Sequence, residues 1–430
     1  MNKKVKHFFS VVTITLAVIG WGLNQADHHL YGQFIHSDAE GYYLYLPAVM
    51  VYSGFENLPV LTKNHFLPYK DTQKIFTKYT YGVAVLQLPF YLGAHFANRL
   101  QGINPSQYYT VANSVAVLVA GCFYGVLGLF FLFKTLVREV GGHVAPLLAC
   151  AVLLLGTNLL FYMAREPGMS HVYSFFLVSL LLYLTPGLYA KADWRRFTGL
   201  GLLAGFIILI RPTDGLVLLY PLLYGIRTRG GLVERLAFFS KHLPRLAVAL
   251  LLLYLVWLPQ LYYWHYLTGD WFYYSYTHEG FHRWKKPQIF YVLAGPLNGW
   301  LTFNPAMLFA LTGMPFLVKG NRHNGAAILA VFLVSLYLFA SWWMWWFGGA
   351  YGYRPFVDLL PLLAVPLCFV LQKIWELKAW PKLALLALLA FCCYFNLKLL
   401  MNFSWDWSSE FFDWKDYLGA IRSVFPFLGL

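Results

Sequence analysis

Asp38 and Glu40 stand one residue apart in HSDAEGYYLYLP (36–47), after an apolar segment and ahead of an aromatic run closed by Pro47. A carboxylate can take a proton from an attacking hydroxyl, and two neighbouring carboxylates can share a hard cation. Backbone geometry decides between these. An extended chain puts residues i and i+2 on one face, whereas a helix turns them apart. Acids near a bilayer are costly unless solvated, paired or used. The plain reading is a solvated acidic loop. The sharper one is a general base, with a metal ligand beside it as an open option.

Further charged residues recur in segments far apart in sequence. Lys78 lies in FTKYTYG, and Arg165, Glu166 and His171 lie in REPGMSHVYS. RPTD supplies Arg211 and Asp214. THEGFHRWKKPQ supplies His278, Glu279, His282, Arg283, Lys285 and Lys286, and WWFGGAYGYRPFVD supplies Arg354 and Asp358. Arg and Lys bind phosphate oxygens, so acids mixed with such cations suit an anionic lipid head group. Each has a bland counterpart: Arg211 pairing with Asp214, His171 as a structural histidine, or the Trp342–Trp346 cluster as an interfacial belt. Aromatic rings also stack on sugar faces. Glycines in FGGAYGYRP permit a tight or left-handed turn, which would fix Arg354 in position.

These residues need elements to hold them, and the composition says what kind. Of 430 residues, 59% are hydrophobic and 12% charged, against about 25% charged in soluble proteins. The expected fold is an all-α polytopic membrane protein, read as a single transmembrane domain over 1–430. Its spans fall near 8–25, 109–133, 144–163, 170–188, 197–210, 213–226, 246–266, 299–318, 325–343, 356–372 and 382–401, eleven in all. The N-terminus is basic and then apolar, like a signal peptide, but no small-x-small cleavage site follows cleanly. It reads as an uncleaved first span. The five cysteines lie in apolar segments without zinc-ligand spacing, and read as structural.

With the N-terminus in the cytoplasm, more than half of the 32 Lys and Arg residues fall in cytoplasmic segments. The clusters at 3–6, 191–196, 227–245 and 373–382 lead them. This positive-inside pattern explains much of the +14 net charge without nucleic acid. The opposite face then carries a first loop, 26–108, a second, 267–298, and a short tail, 402–430. Pro89 interrupts the apolar stretch 81–100. Were it a span, every later loop would invert, so it reads as an interfacial helix within the first loop.

The layout resembles the GT-C superfamily of membrane glycosyltransferases, such as protein O-mannosyltransferases and lipid A aminoarabinose transferases. The resemblance is carried by S-D-A-E-G-Y-Y (37–43), K-Y-T-Y-G…L-P-F-Y (78–91), R-P-T-D (211–214) and F-G-G-A-Y-G-Y-R-P (347–355). It implies an inverting transfer of a sugar from a polyprenyl-phosphate carrier to a hydroxyl of a lipid, glycan or protein, at the periplasmic or lumenal face; the want of a large soluble domain points to a monosaccharide donor, and the compact chain fits a bacterial inner membrane. It implies Asp38 as base and Glu40 as assisting acid or metal ligand, with Lys78, Arg354 and Arg211 on the donor phosphate. Candidate substrate contacts are Tyr42, Tyr43, His171, His278, Tyr351 and Trp346. No cofactor is expected, with a divalent metal on Asp38 and Glu40 kept open. The partners expected are the lipid-linked donor, the acceptor and membrane lipids.

Two other classes remain. A transporter or flippase of a lipid-linked anion should show repeated, interrupted spans and charges deep within them. No repeat is evident, and the charges lie at span ends. A non-catalytic assembly subunit would leave the outer acids and cations scattered in space.

Overall fold

The computed structural model describes residues 3–25, 34–56, 58–62, 66–70, 72–104, 106–107, 109–320 and 322–426. Its described elements are helices; extended pairing is limited to two isolated bridges, Glu56 with Lys74 and Pro68 with Ile75. Four helices are long and apolar enough to cross a membrane unaided: α5 (Val111–Glu139), α8 (Ser170–Ala190), α12 (Leu243–Thr268) and α18 (Ala379–Met401). Shorter apolar helices stand among them: α6 (Val144–Gly156), α15 (Met307–Lys319) and α16 (Gly325–Ala340). Thr13–Asn24 of α1 (Lys3–Gln25) is a further apolar stretch.

Packing fixes the direction of the helices. The helices α5 and α8 run the same way. Gly121 of α5 lies against Pro167 just ahead of α8, and Gly128 against Phe175. Arg138, near the end of α5, donates to the carbonyls of Leu182 and Tyr183. The chain must therefore return between them, through α6 and the short α7 (Leu159–Ala164). Likewise α9 (Trp194–Ile210) and α12 are parallel, with Gly201 on Ala249 and Gly205 beside Leu253 and Val256. The return here is a 3₁₀ turn, Pro212–Leu218, and α10 (Leu219–Leu223). Pro212 begins that turn because its ring cannot continue α9.

This alternation brings the start of α8 and the ends of α9, α12 and α16 to one end of the bundle. The first loop folds over that end as α2 (Ser37–Tyr43), α3 (Tyr45–Met50) and α4 (Gly82–Leu100). The segment expected to lie in the interface is α4. Thr80, just before it, donates to the Leu209 carbonyl, and Tyr109, beyond it, donates to Glu40. At the opposite end lie the basic residues of 191–196 and the exposed helix α11 (Arg229–Lys241).

Candidate functional site

The segment SDAEGYY is helical, and this settles the geometry of its two acids. About 100° of rotation per residue turns Glu40 away from Asp38. Glu40 is fully buried, and its carboxylate accepts from the backbone N–H of Leu61 at 2.5 Å, from that of Thr62 at 2.9 Å and from the Tyr109 hydroxyl. It staples the first loop together. The expected second acid is therefore absent from the site, and the shared metal does not fit the residues, because Glu40's oxygens are committed elsewhere. No cluster of three or more His, Cys, Asp or Glu suited to a metal occurs among the described residues.

Asp38 faces the other way, into a cavity of about 290 Å³. Arg354 Nη1 donates to its Oδ2 at 3.1 Å. Burial pushes the Asp38 pKa up, but the Arg354 guanidinium, the Tyr79 hydroxyl and the Lys78 charge outweigh it and hold the carboxyl below its ordinary value. Tyr79 can reach Asp38 because residue 41 is glycine: a Cβ there would stand 2.2 Å from the Tyr79 ring. Arg354 opens a 3₁₀ turn, Arg354–Phe356, with Pro355 in its first turn. The preceding loop folds back at Gly352, whose φ of +62° lies in the left-handed region.

Lys78 projects into the same cavity. Its ammonium lies 2.5 Å from Glu279 Oε1, and 5.1 and 5.6 Å from the ring centroids of Tyr276 and Tyr79. Arg211 follows α9 and joins a buried cluster. Its Nη1 lies 3.1 Å from His171 Nε2, and its Nε 3.4 Å from Asp358 and 3.9 Å from Asp214. His171 Nδ1 is 3.0 Å from Asp358 Oδ1, and the Ser174 hydroxyl donates to Asp214 at 2.5 Å. Arg211 Nη1 lies 2.9 Å from His171 Nδ1 as well; with Nδ1–H donating to Asp358 Oδ1, Nε2 of a neutral ring is left to accept from Arg211. Beside Asp38, His36 Nε2 lies 3.4 Å from Glu166, whose hydrogen bond raises the His36 pKa.

Of the residues singled out in the sequence, Asp38, Lys78, Arg211, Arg354, Tyr42 and His171 line this one cavity. Tyr42 donates to the Ser170 hydroxyl at 3.2 Å. Glu40 and four of the candidate substrate contacts are not among its lining residues. Tyr43 is buried against Tyr91 and Tyr109. Tyr351 is buried, donating to the Asn396 carbonyl at 2.8 Å. Trp346 packs on Trp345, and His278 is exposed. In their place stand Tyr79, Tyr276, Glu279, Phe281, Trp342 and Phe347. Glu279 stood among the charged residues of its segment, Trp342 in the tryptophan cluster, and Tyr79 and Phe347 in motifs quoted above; Tyr276 and Phe281 had no signal beyond composition.

The charges that a mere assembly subunit would scatter are thus gathered. No family model matches the sequence, and neither does any curated protein. Among solved structures, ArnT from Cupriavidus metallidurans bound to undecaprenyl phosphate is similar, with TM-score 0.53 and 13% identity, over 97% of this chain and 76% of that one. The archaeal oligosaccharyltransferase AglB from Archaeoglobus fulgidus, in complex with an inhibitory peptide and a dolichol-phosphate, aligns with TM-score 0.49 and 11% identity, over 94% of this chain and 56% of its own.

Proposed function

The chain is a helical integral membrane protein with the GT-C fold, the architecture it shares with ArnT, and from this premise we propose that it is an inverting glycosyltransferase. It moves a monosaccharide from a polyprenyl-phosphate carrier to an acceptor hydroxyl. The observation that carries this reading is the single cavity holding an ionised acid, Asp38, beside Lys78 and Arg354. The eleven-pass reading puts that cavity on the periplasmic side of a bacterial inner membrane, with the N-terminus and the basic end of the bundle in the cytoplasm.

In this reading the Asp38 carboxylate accepts the proton of the acceptor hydroxyl. The acceptor oxygen attacks the anomeric carbon on the face opposite the phosphate, so the configuration inverts. The bond from that carbon to the phosphate oxygen breaks, and its electron pair stays on the phosphate. Lys78 and Arg354 stabilise the charge that develops there. Arg211 is committed to Asp358, Asp214 and His171, so its charge is offset within that cluster and it shapes the floor of the cavity instead of holding the phosphate. Tyr276, Trp342 and Phe347 offer faces for the sugar. None of these steps uses a metal.

The test is sugar transfer from radiolabelled polyprenyl-phosphate sugars by the purified chain in detergent, wild type beside Asp38→Asn, with and without chelator. Transfer that the substitution abolishes and chelator leaves alone supports the reading. Unchanged transfer by a folded Asp38→Asn protein rules out the base.

A further inference from the structure

Lys78, read above as a ligand of the donor phosphate, already has an anion on it. Tyr79 and Tyr276 flank its ammonium, and the Glu279 carboxylate takes the closest approach at 2.5 Å. A phosphate oxygen reaching Lys78 must take the place of that carboxylate. From this geometry we infer that Glu279 is a displaceable counterion that sets the affinity of the site for phosphate.

The backbone around Glu279 is built to present that side chain. The Glu279 N–H donates to the Tyr276 carbonyl at 2.9 Å, and its own carbonyl accepts from the Tyr274 hydroxyl at 2.7 Å. The Gly280 carbonyl accepts from the Trp343 N–H at 2.8 Å. Ser275 donates to the carbonyl of Lys78 itself at 2.7 Å, pinning the turn to the segment that carries the lysine. Within the turn, Thr277 has φ +49°. A β-branched residue persists in the left-handed region only where its surroundings hold it.

The pair is also of the kind that breaks readily. Its side chains keep 31% and 28% of their surface, and a pair that water still reaches is weaker than a fully buried one. The reaction gives this weakness a use. The donor is a phosphodiester with one negative charge. Loss of the sugar leaves a monoester, which carries close to two near neutral pH. The product would then hold Lys78 more strongly than the donor does, and a competing carboxylate favours its departure. Glu279 therefore limits product retention.

The experiment is a binding titration followed by tryptophan fluorescence, since Trp264 and Trp342 line the cavity. Farnesyl phosphate and inorganic phosphate are titrated into the purified full chain in detergent, as wild type, Glu279→Gln, Lys78→Met and the double variant. Glu279→Gln is expected to tighten farnesyl phosphate binding about tenfold, and to give no gain once Lys78 is methionine, a coupling that a double-mutant cycle isolates. A parallel gain with inorganic phosphate identifies the phosphate group alone as the ligand; a gain confined to farnesyl phosphate identifies a lipid-borne one. Either upholds the inference. Wild-type binding that Glu279→Gln weakens or leaves unchanged overturns it, as does an equal gain in the Lys78→Met background. Failure of the wild type and every variant to bind either probe overturns the glycosyltransferase reading, and the counterion role with it.

Discussion

Two sets of charged side chains meet at the same cavity, and they are built differently. In the lower set His171, Asp214 and Asp358 keep at most 2% of their side-chain surface, and Arg211 keeps 14%. Each partner there is shared: Asp358 serves both His171 and Arg211, and Asp214 serves both Arg211 and Ser174. In the upper set Asp38 faces Arg354 and Lys78 faces Glu279, as separate pairs with 16–31% exposure. Desolvation makes the lower cluster costly to disturb, because a member left alone is a buried uncompensated charge or, for His171, a buried unpaired donor. The upper pairs can exchange partners with a substrate at little cost. The same residue types therefore read as scaffold in one place and as chemistry in the other.

The largest effect is expected at Asp38. Asp38→Asn keeps shape and removes the proton acceptor, so transfer should fall by about 10²- to 10⁴-fold while the thermal unfolding midpoint barely moves. A large loss of stability alongside would place Asp38 with the scaffold instead. Asp358→Leu is the opposite probe. It takes the nearer carboxylate from Arg211 and the acceptor from His171 Nδ1, both buried, leaving Arg211 only Asp214 at 3.9 Å, and should cost about 3–5 kcal/mol, seen as a lower unfolding midpoint in detergent. A normal midpoint with lost activity would dissolve the distinction between the two sets.

Glu40→Gln should act between these. It weakens the bonds from Leu61, Thr62 and Tyr109, and the loss should be about 1–3 kcal/mol, confined to the first loop. Faster proteolytic nicking near residues 58–62, with less than a tenfold loss of transfer, is the expected result. Loss of transfer as complete as that of Asp38→Asn would return Glu40 to the chemistry.

That Glu40 required the structure at all marks how far the sequence reaches. Apolar stretches and the placement of Lys and Arg made the helical membrane architecture legible, because hydropathy and charge act at the scale of whole segments. Arg211 and Arg354 stood out for the same reason: a cation beside an apolar span has few innocent places to be. Whether SDAEGYY was helical or extended could not be read from seven residues, and that choice alone sends Glu40 in or out of the site. The partner that claims it, Tyr109, lies 69 positions away. Tyr351 and Tyr79 are both tyrosines in Gly- and Tyr-rich motifs, yet one is packed among Phe161, Phe303 and Phe403 and the other touches Asp38. Only tertiary contact separates a core ring from a cavity ring. Glu279 was lost among five other charged or titratable residues in its segment for want of its contact with Lys78.

The smallest expected effect gives the sharpest comparison within the upper set, and it concerns pH. The Asp38 carboxyl must be ionised to act as base, and Arg354, Tyr79 and Lys78 hold its pKa below the ordinary carboxylate value against the opposing effect of burial. Activity governed by this group is therefore present at neutral pH and is lost only as pH falls through that lowered value. Arg354→Gln removes the foremost of the lowering influences and leaves burial in place, so the acid limb of kcat/KM should move upward. Lys78→Met should move it less, because Lys78 ranks behind both Arg354 and Tyr79 among those influences, yet it should raise KM for the donor more if the phosphate rests on Lys78. A pH profile from 3 to 8 on both variants separates the two roles. An acid limb that neither substitution moves would mean that the group titrating in catalysis is not Asp38.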